Sequence, residues 1–199
     1  MSRTVAAPYR VSGVAHTPAD VLAAARGILA QHSLADLSMR RLATELGVRP
    51  NALYWHFPDK QTMLAALADD LLDAVQIPAD GAWDQRLTAA ATNLRSTLLS
   101  LPDSAEVVSS AWASGLSHSD LTATVAAVAS DGGLPPPAAH GVATAICRLT
   151  IGLTIEEQTR AQMERLGVTG PSGRDFTEEF TQALAVIVDG ARSLAAARR

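Results

Sequence analysis

Residues Ser38–Lys60 read SMRRLATELGVRPNALYWHFPDK, and they spell two short helices joined by a tight turn. Leu42, Ala43 and Leu46 recur at the spacing that lines one helical face, so they point toward a core. Gly47 follows at once, where a helix end favours a residue that tolerates positive φ. Val48 is apolar and suits the corner. Arg49 precedes Pro50 and is biased toward extended backbone, while Pro50 suits the first position of a new helix, where an N–H would lack a partner anyway. That second helix, predicted over Pro50 to Phe57, carries Asn51, Ala52, Tyr54, Trp55 and His56, with Leu53 and Phe57 as apolar anchors. A helix so short, with aromatic and amide groups turned outward, is poorly built for packing. Its size suits the DNA major groove, which admits one helix.

The strings Arg41-Leu42-Ala43, Leu46-Gly47-Val48 and Leu53-Tyr54-Trp55-His56-Phe57, with Lys60, resemble the DNA-binding domain of TetR-family repressors. The Leu-Tyr-Trp-His run is especially similar to the tetracycline-repressor branch. Further on, Trp83-Asp84-Gln85 with Leu87, Leu94-Arg95 with Leu98-Leu99, and Ile151-Gly152-Leu153-Thr154 followed by Glu156-Glu157-Gln158 resemble the ligand-binding part of that branch. The resemblance covers Thr17–Gln158 and loses sharpness after Val75. It implies that the reading helix lies in the major groove while the start of the preceding helix grips the backbone. By position, Ser38 then contacts phosphate, and Arg40 reads a base, since a guanidinium can bind guanine O6 and N7 together. Pro50, Asn51 and Ala52 face base edges, where Asn51 suits adenine and Ala52 or Pro50 suits a thymine methyl. Tyr54, Trp55 and His56 match phosphate and sugar contacts, and Lys60 matches a phosphate-binding lysine at the start of the next helix. Arg49 completes this expected DNA-binding set. The combination Arg49, Pro50, Asn51, Ala52 departs from the tetracycline repressor, so its operator sequence does not transfer.

Composition points to an all-α protein. Hydrophobic residues make up 48% of 199 residues and mean hydropathy is +0.13, enough for a real core, while aromatics are only 4%. No alternating β-branched run occurs. Net charge is −4, but it is unevenly spread: residues 1–60 hold seven Lys+Arg against four Asp+Glu, and residues 61–199 hold nine against sixteen. A basic amino end on an acidic body is what a phosphate-contacting module needs. The lone cysteine, Cys147, cannot form an intrachain disulfide and reads as a small buried hydrophobe. Ala183–Val188, the most apolar run, is too short to span a bilayer. No membrane partner is expected, no apolar signal core precedes the first helix, and a cytoplasmic location is expected. His16, His32, His56, His118 and His140 form no metal motif, and no cofactor is expected.

About nine helices are predicted. Residues 1–16 read as a flexible arm in which Arg3 or Arg10 could reach a groove. Residues 17–62 form a three-helix, helix-turn-helix DNA-binding domain opened by Thr17-Pro18-Ala19-Asp20, and residues 63–199 form a helical ligand-binding and dimerisation domain. Helices are expected at Trp83–Leu101, Ser104–Ser114, Ser119–Asp131 with Ser119 as cap, Ala138–Leu166 and Asp175–Ala197. One small domain cannot select a genomic site alone, so a homodimer on a near-palindromic double-stranded DNA operator is expected, with half-sites about 34–36 Å apart. Ala143, Ile146, Cys147, Leu149 and Thr150, with Phe180, Leu184, Ile187, Val188 and Ala191, are the expected dimer face.

A small-molecule effector is expected among the body helices. Its expected liners are Leu94, Leu98, Val107, Trp112, His118, Arg148, Ile151 and Thr154, with Leu116, Asn93 and Glu157 nearby. The family position that supplies an imidazole metal ligand corresponds to Val108, and the positions that hold the drug correspond to Ala90 and Leu94. The resemblance therefore implies a mainly apolar effector that is not a magnesium–tetracycline complex. No catalytic motif occurs, so an enzyme is not expected. The expected function is a ligand-responsive repressor; the alternatives are an activator or a regulator whose effector is a protein partner.

Overall fold

The computed structural model describes residues 16–197. The predicted arm, with Arg3 and Arg10, lies outside the described residues except for His16. The described residues form nine helices and no strand: α1 Pro18–Gln31, α2 Met39–Glu45, α3 Pro50–Leu53, α4 Lys60–Asp73, α5 Trp83–Leu99, α6 Ser104–Ser114, α7 Leu121–Asp131, α8 Pro136–Arg165 and α9 Phe176–Ala196.

Side-chain caps set four of the nine starts. Thr17 caps α1 in a reciprocal box with Asp20, which satisfies two orphan donors at once. Ser38 accepts the Arg41 N–H, Asp59 the Thr62 N–H, and Asp175 those of Thr177 and Glu178. Helix α7 starts at Leu121, later than Ser119, because the N–H groups of His118 and Ser119 are drawn to the Asp69 carboxylate and hold that segment in a loop. The reading helix is also shorter than its sequence suggests. The N–H groups of His56 and Phe57 converge on the Leu53 carbonyl, at 3.0 and 2.9 Å, so Tyr54–His56 form a turn. Pro58 disfavours helical backbone at Phe57 and prevents continuation.

Two packed regions share one core. Val21, Ala25 and Leu29 of α1 meet Leu37, Leu42, Leu53 and Phe57 around Met63 and Leu67 of α4. Helix α4 buries Met63, Leu64, Leu67, Ala68, Leu71 and Leu72, and it packs on α1 and also on α5 and α6. The expected boundary between residues 62 and 63 falls inside its first turn. Helix α8 runs through the body against α5, α6, α7 and α9. It is long and apolar enough to cross a membrane by length and composition, unlike the short run Ala183–Val188. In the fold its apolar side, including Val142, Ile146 and Ile151, is buried among neighbouring helices. The hydroxyls of Thr150 and Thr154 are buried there too and donate back to the carbonyls of Ile146 and Thr150 at 2.8 and 2.7 Å. At the far end, the Trp83 indole lies so close to Gly132 that a Cβ would stand 2.3 Å from the ring.

Most of the expected dimer residues lie inside the chain, while Ile187 and Ala191 also reach an outer groove between α8 and α9. Ala143, Ile146, Cys147, Thr150, Phe180, Leu184, Val188 and Ala191 are buried within the chain's own core, and Leu149 and Ile187 are half-buried. They close α8 on α9, α5 and α7. The outer side of α8 and α9 carries an open apolar groove lined by Ala138, Gly141 and Ala145 with Val186, Ile187, Gly190, Ala191 and Leu194.

Candidate nucleic-acid interface and effector cavity

Helices α2 and α3 meet across Gly47, whose φ of +66° turns the chain, and the Val48 N–H closes the corner on the Ala43 carbonyl at 2.9 Å. Leu42, Ala43 and Leu53 face the core. Every side chain on the other side of α3 is left to solvent. Ser38, Arg40, Arg49, Pro50, Asn51, Ala52, Tyr54, Trp55 and His56 are all exposed, so the structure brings the expected reading residues onto one surface. Trp55 is 89% exposed and Tyr54 47%. An indole held that far out contributes nothing to packing and is free to lie against a sugar–phosphate backbone. Arg41 points elsewhere, with Nη2 2.7 Å from Nε2 of His32.

Lys60 begins α4, half-buried beside this surface, and its ammonium donates to the Leu34 carbonyl at 3.3 Å. The N–H of the same Leu34 donates to the Asp103 carboxylate at 2.7 Å. Asp103 sits in the body, in the left-handed region at φ +60°, one residue before α6. The corner that carries it is held by Gln158 of α8, whose amide donates to the carbonyls of Leu98 and Leu101 at 2.9 and 2.8 Å. One loop residue of the DNA-binding region is thus gripped from the body on one side and by Lys60 on the other. Nearby, Asp59 is held below the usual carboxylate range by the Thr62 N–H, so the cap stays charged.

A second tie reaches α4 from the loop between α6 and α7. Asp69 of α4 accepts the Ser117 hydroxyl at 2.6 Å, the His118 N–H at 3.0 Å and the Ser119 N–H at 3.2 Å. Ser117 and Ser119 also line a cavity of about 370 Å³ between α6, α7 and α8, together with Trp112, Gly115, Thr122, His140, Thr144, Cys147 and Arg148. A space of this size holds a small molecule. Burial pushes the Cys147 thiol up to about 11, which suits a packing residue and leaves little thiolate at neutral pH.

Of the expected liners, Trp112 and Arg148 reach this cavity. Leu94, Leu98, Val107, Ile151 and Thr154 do not; they are buried in the core, where α5, α6 and α8 pack together. His118 is exposed, and its backbone is tied to Asp69. Leu116 is also exposed. Glu157 pairs with Arg95 at 2.6 Å, and the Asn93 amide donates to the Gln76 carbonyl at 2.7 Å. The wall combines apolar surface with several hydroxyls and the Arg148 guanidinium. Thr122, His140, Thr144, Ser117 and Ser119 escaped the sequence reading because a polar residue on a helix is ordinarily solvated. Among the described residues no group of three His, Cys, Asp or Glu could hold a metal ion.

An exposed helix-turn-helix, tied through α4 and α6 to a body with a cavity, defines a ligand-responsive DNA-binding transcriptional regulator rather than an enzyme. Comparison with known proteins agrees. A family model described as bacterial regulatory proteins, tetR family, matches residues 21–67, and one described as tetracyclin repressor-like, C-terminal domain, matches residues 77–170. BioQ of Mycobacterium smegmatis is 38% identical, its crystal structure fitting with a TM-score of 0.82 over 90% of this chain and 99% of that one. A crystal structure of BioQ with its natural double-stranded DNA operator is 35% identical, with a TM-score of 0.72 over 89% of this chain and 99% of that one. The tetracycline repressor protein class A from transposon 1721 of Escherichia coli is 29% identical over 87% of this chain and 89% of its own length. The chain belongs to the TetR family.

Proposed function

We propose that two copies of the chain hold a near-palindromic operator and repress the adjacent promoter in the cytoplasm until a small molecule enters the α6–α7–α8 cavity. The observation that carries this reading is the common outward orientation of Arg40, Asn51, Tyr54 and Trp55 on a module whose Leu42, Ala43, Leu53 and Phe57 are buried in the core. Ser38, Lys60, Tyr54, Trp55 and His56 anchor the backbone, while Arg40, Arg49, Pro50, Asn51 and Ala52 face the bases. Residues 17–62 serve as the reading module and residues 63–199 as the sensing and pairing body, with α4 belonging to both.

The second copy docks on the α8–α9 groove. Gly141, Ala145 and Gly190 let helices approach closely there, and Val186 and Leu194, 73% and 50% exposed, supply the apolar contact. A ligand must bind the two conformations differently to shift them. An occupant that competes for the Ser117 hydroxyl does so, because it weakens the hold of that loop on Asp69 and hence on α4. A reporter fused to the promoter beside its gene tests the reading. Repression by the protein supports it, stimulation favours the activator alternative, and an unaffected promoter contradicts both.

A further inference from the structure

We propose that the molecule filling the α6–α7–α8 cavity is a small organic anion, a carboxylate or phosphate ester, held through the guanidinium of Arg148. The proposal rests on the reading of that cavity as the effector site and adds the chemical class of its occupant. No carboxylate is among the residues that line it. Arg86, Arg95, Arg160, Arg174 and Arg192 of the body each pair with an Asp or Glu; among the described residues Arg148 and Arg165 do not, and of these two Arg148 lines the cavity. Its guanidinium carbon instead lies 4.9 Å from the centroid of the Trp112 ring. Stacking fixes the plane of the fork while leaving its N–H edges to meet an acceptor, the geometry that suits a two-oxygen anion.

The rest of the wall completes the match. Hydroxyls of Thr122 and Thr144 and the imidazole of His140 can donate to further oxygens, and Trp112 with Cys147 supplies an apolar side. At about 370 Å³ the space is far larger than an inorganic ion needs, so the anionic group is carried by an organic body. Negative charge also explains release. An anion beside Ser117 draws its hydroxyl proton away from the Asp69 carboxylate and repels that carboxylate through the same loop.

Calorimetry on the full-length protein tests this with a panel of small carboxylates and phosphate monoesters, benzoate and phenyl phosphate among them, each matched by its amide or alcohol. Acids are expected to bind at least about ten-fold more tightly than their uncharged partners, as for a charge-assisted contact. Arg148→Gln is expected to remove that difference and Arg148→Lys to keep part of it, both with unchanged operator affinity. Equal binding of acid and amide, no binding of any acid, or an undiminished preference in Arg148→Gln overturns the proposal. Operator affinity measured without probe separates the two readings. Its absence in the parent protein defeats the regulator itself, whereas release by an uncharged probe alone defeats only the anion.

Discussion

The Ser117 hydroxyl donates to the Asp69 carboxylate at 2.6 Å, and the two residues belong to different working parts. Ser117 lines the cavity, and Asp69 lies on the helix that begins with Lys60 beside the DNA surface. Asp69→Asn keeps the shape of the side chain and removes its charge. Hydrogen bonds to a charged group contribute about 1.5–3 kcal/mol each, so the loop should loosen. Amide hydrogen exchange at His118 and Ser119 is expected to accelerate strongly while α1–α3 stay protected. Unchanged exchange at those two amides would show that Asp69 does not hold the loop.

Arg40 and Lys60 should behave differently on DNA. Arg40→Ala is expected to weaken specific binding by about 1–3 kcal/mol and to relax the preference at one base pair. Lys60→Ala is expected to weaken all duplexes alike and to lower the slope of log affinity against log salt by about one. Titrations at several salt concentrations distinguish the two patterns, and an Arg40→Ala protein with parental specificity removes Arg40 from the reading surface.

The pairing surface is tested on α8. Ala145 is exposed in the groove and makes no core contact, so Ala145→Glu should leave the helical fold intact while placing a charge where the second copy docks. Light scattering is expected to show a shift to monomer, with loss of operator binding. A variant that remains dimeric would move the interface elsewhere.

How much of this was legible in the sequence depends on the range of the physics. The turn at Gly47, the caps at Thr17, Ser38 and Asp59, and the outward set Asn51, Tyr54 and Trp55 follow from contacts within a few residues. The cavity and the pairing groove do not. Helical spacing says that Leu94, Val107 and Ile151 face inward, but which inward residue meets a void depends on how three helices converge. Likewise Ile146 and Leu184 are as apolar as any interface, and only the packing shows that α8 and α9 use them against each other. Of the outward strip, Ile187 and Ala191 stand out by helical spacing, whereas Gly141, Ala145 and Gly190 are too small for a hydrophobic pattern to mark. The tie from Leu34 to Asp103 joins residues 69 positions apart and leaves no local signature.

Gly132 offers a test of the packing alone. Its φ is −76°, an ordinary value for any residue, so conformational freedom is not what requires glycine there. Contact with the Trp83 ring is. Gly132→Ala should therefore destabilise by about 1–3 kcal/mol through overpacking. In a Trp83→Leu background the same change should cost less, a non-additivity expected of touching residues. Denaturant melts of the four proteins measure it, and additive effects would contradict the contact.

The central claim is that the α2–α3 unit is presented twice to the major groove of one duplex. Selection of bound sequences from a random duplex pool by the full-length protein tests it most directly. The expected outcome is an inverted repeat whose halves are centred about one helical turn, 34–36 Å, or a multiple of it apart. Enrichment should be lost in an Asn51→Ala, Tyr54→Ala protein that still dimerises. Recovery of no sequence, of a single unsymmetrical site, or of the same repeat by the double variant would contradict the account.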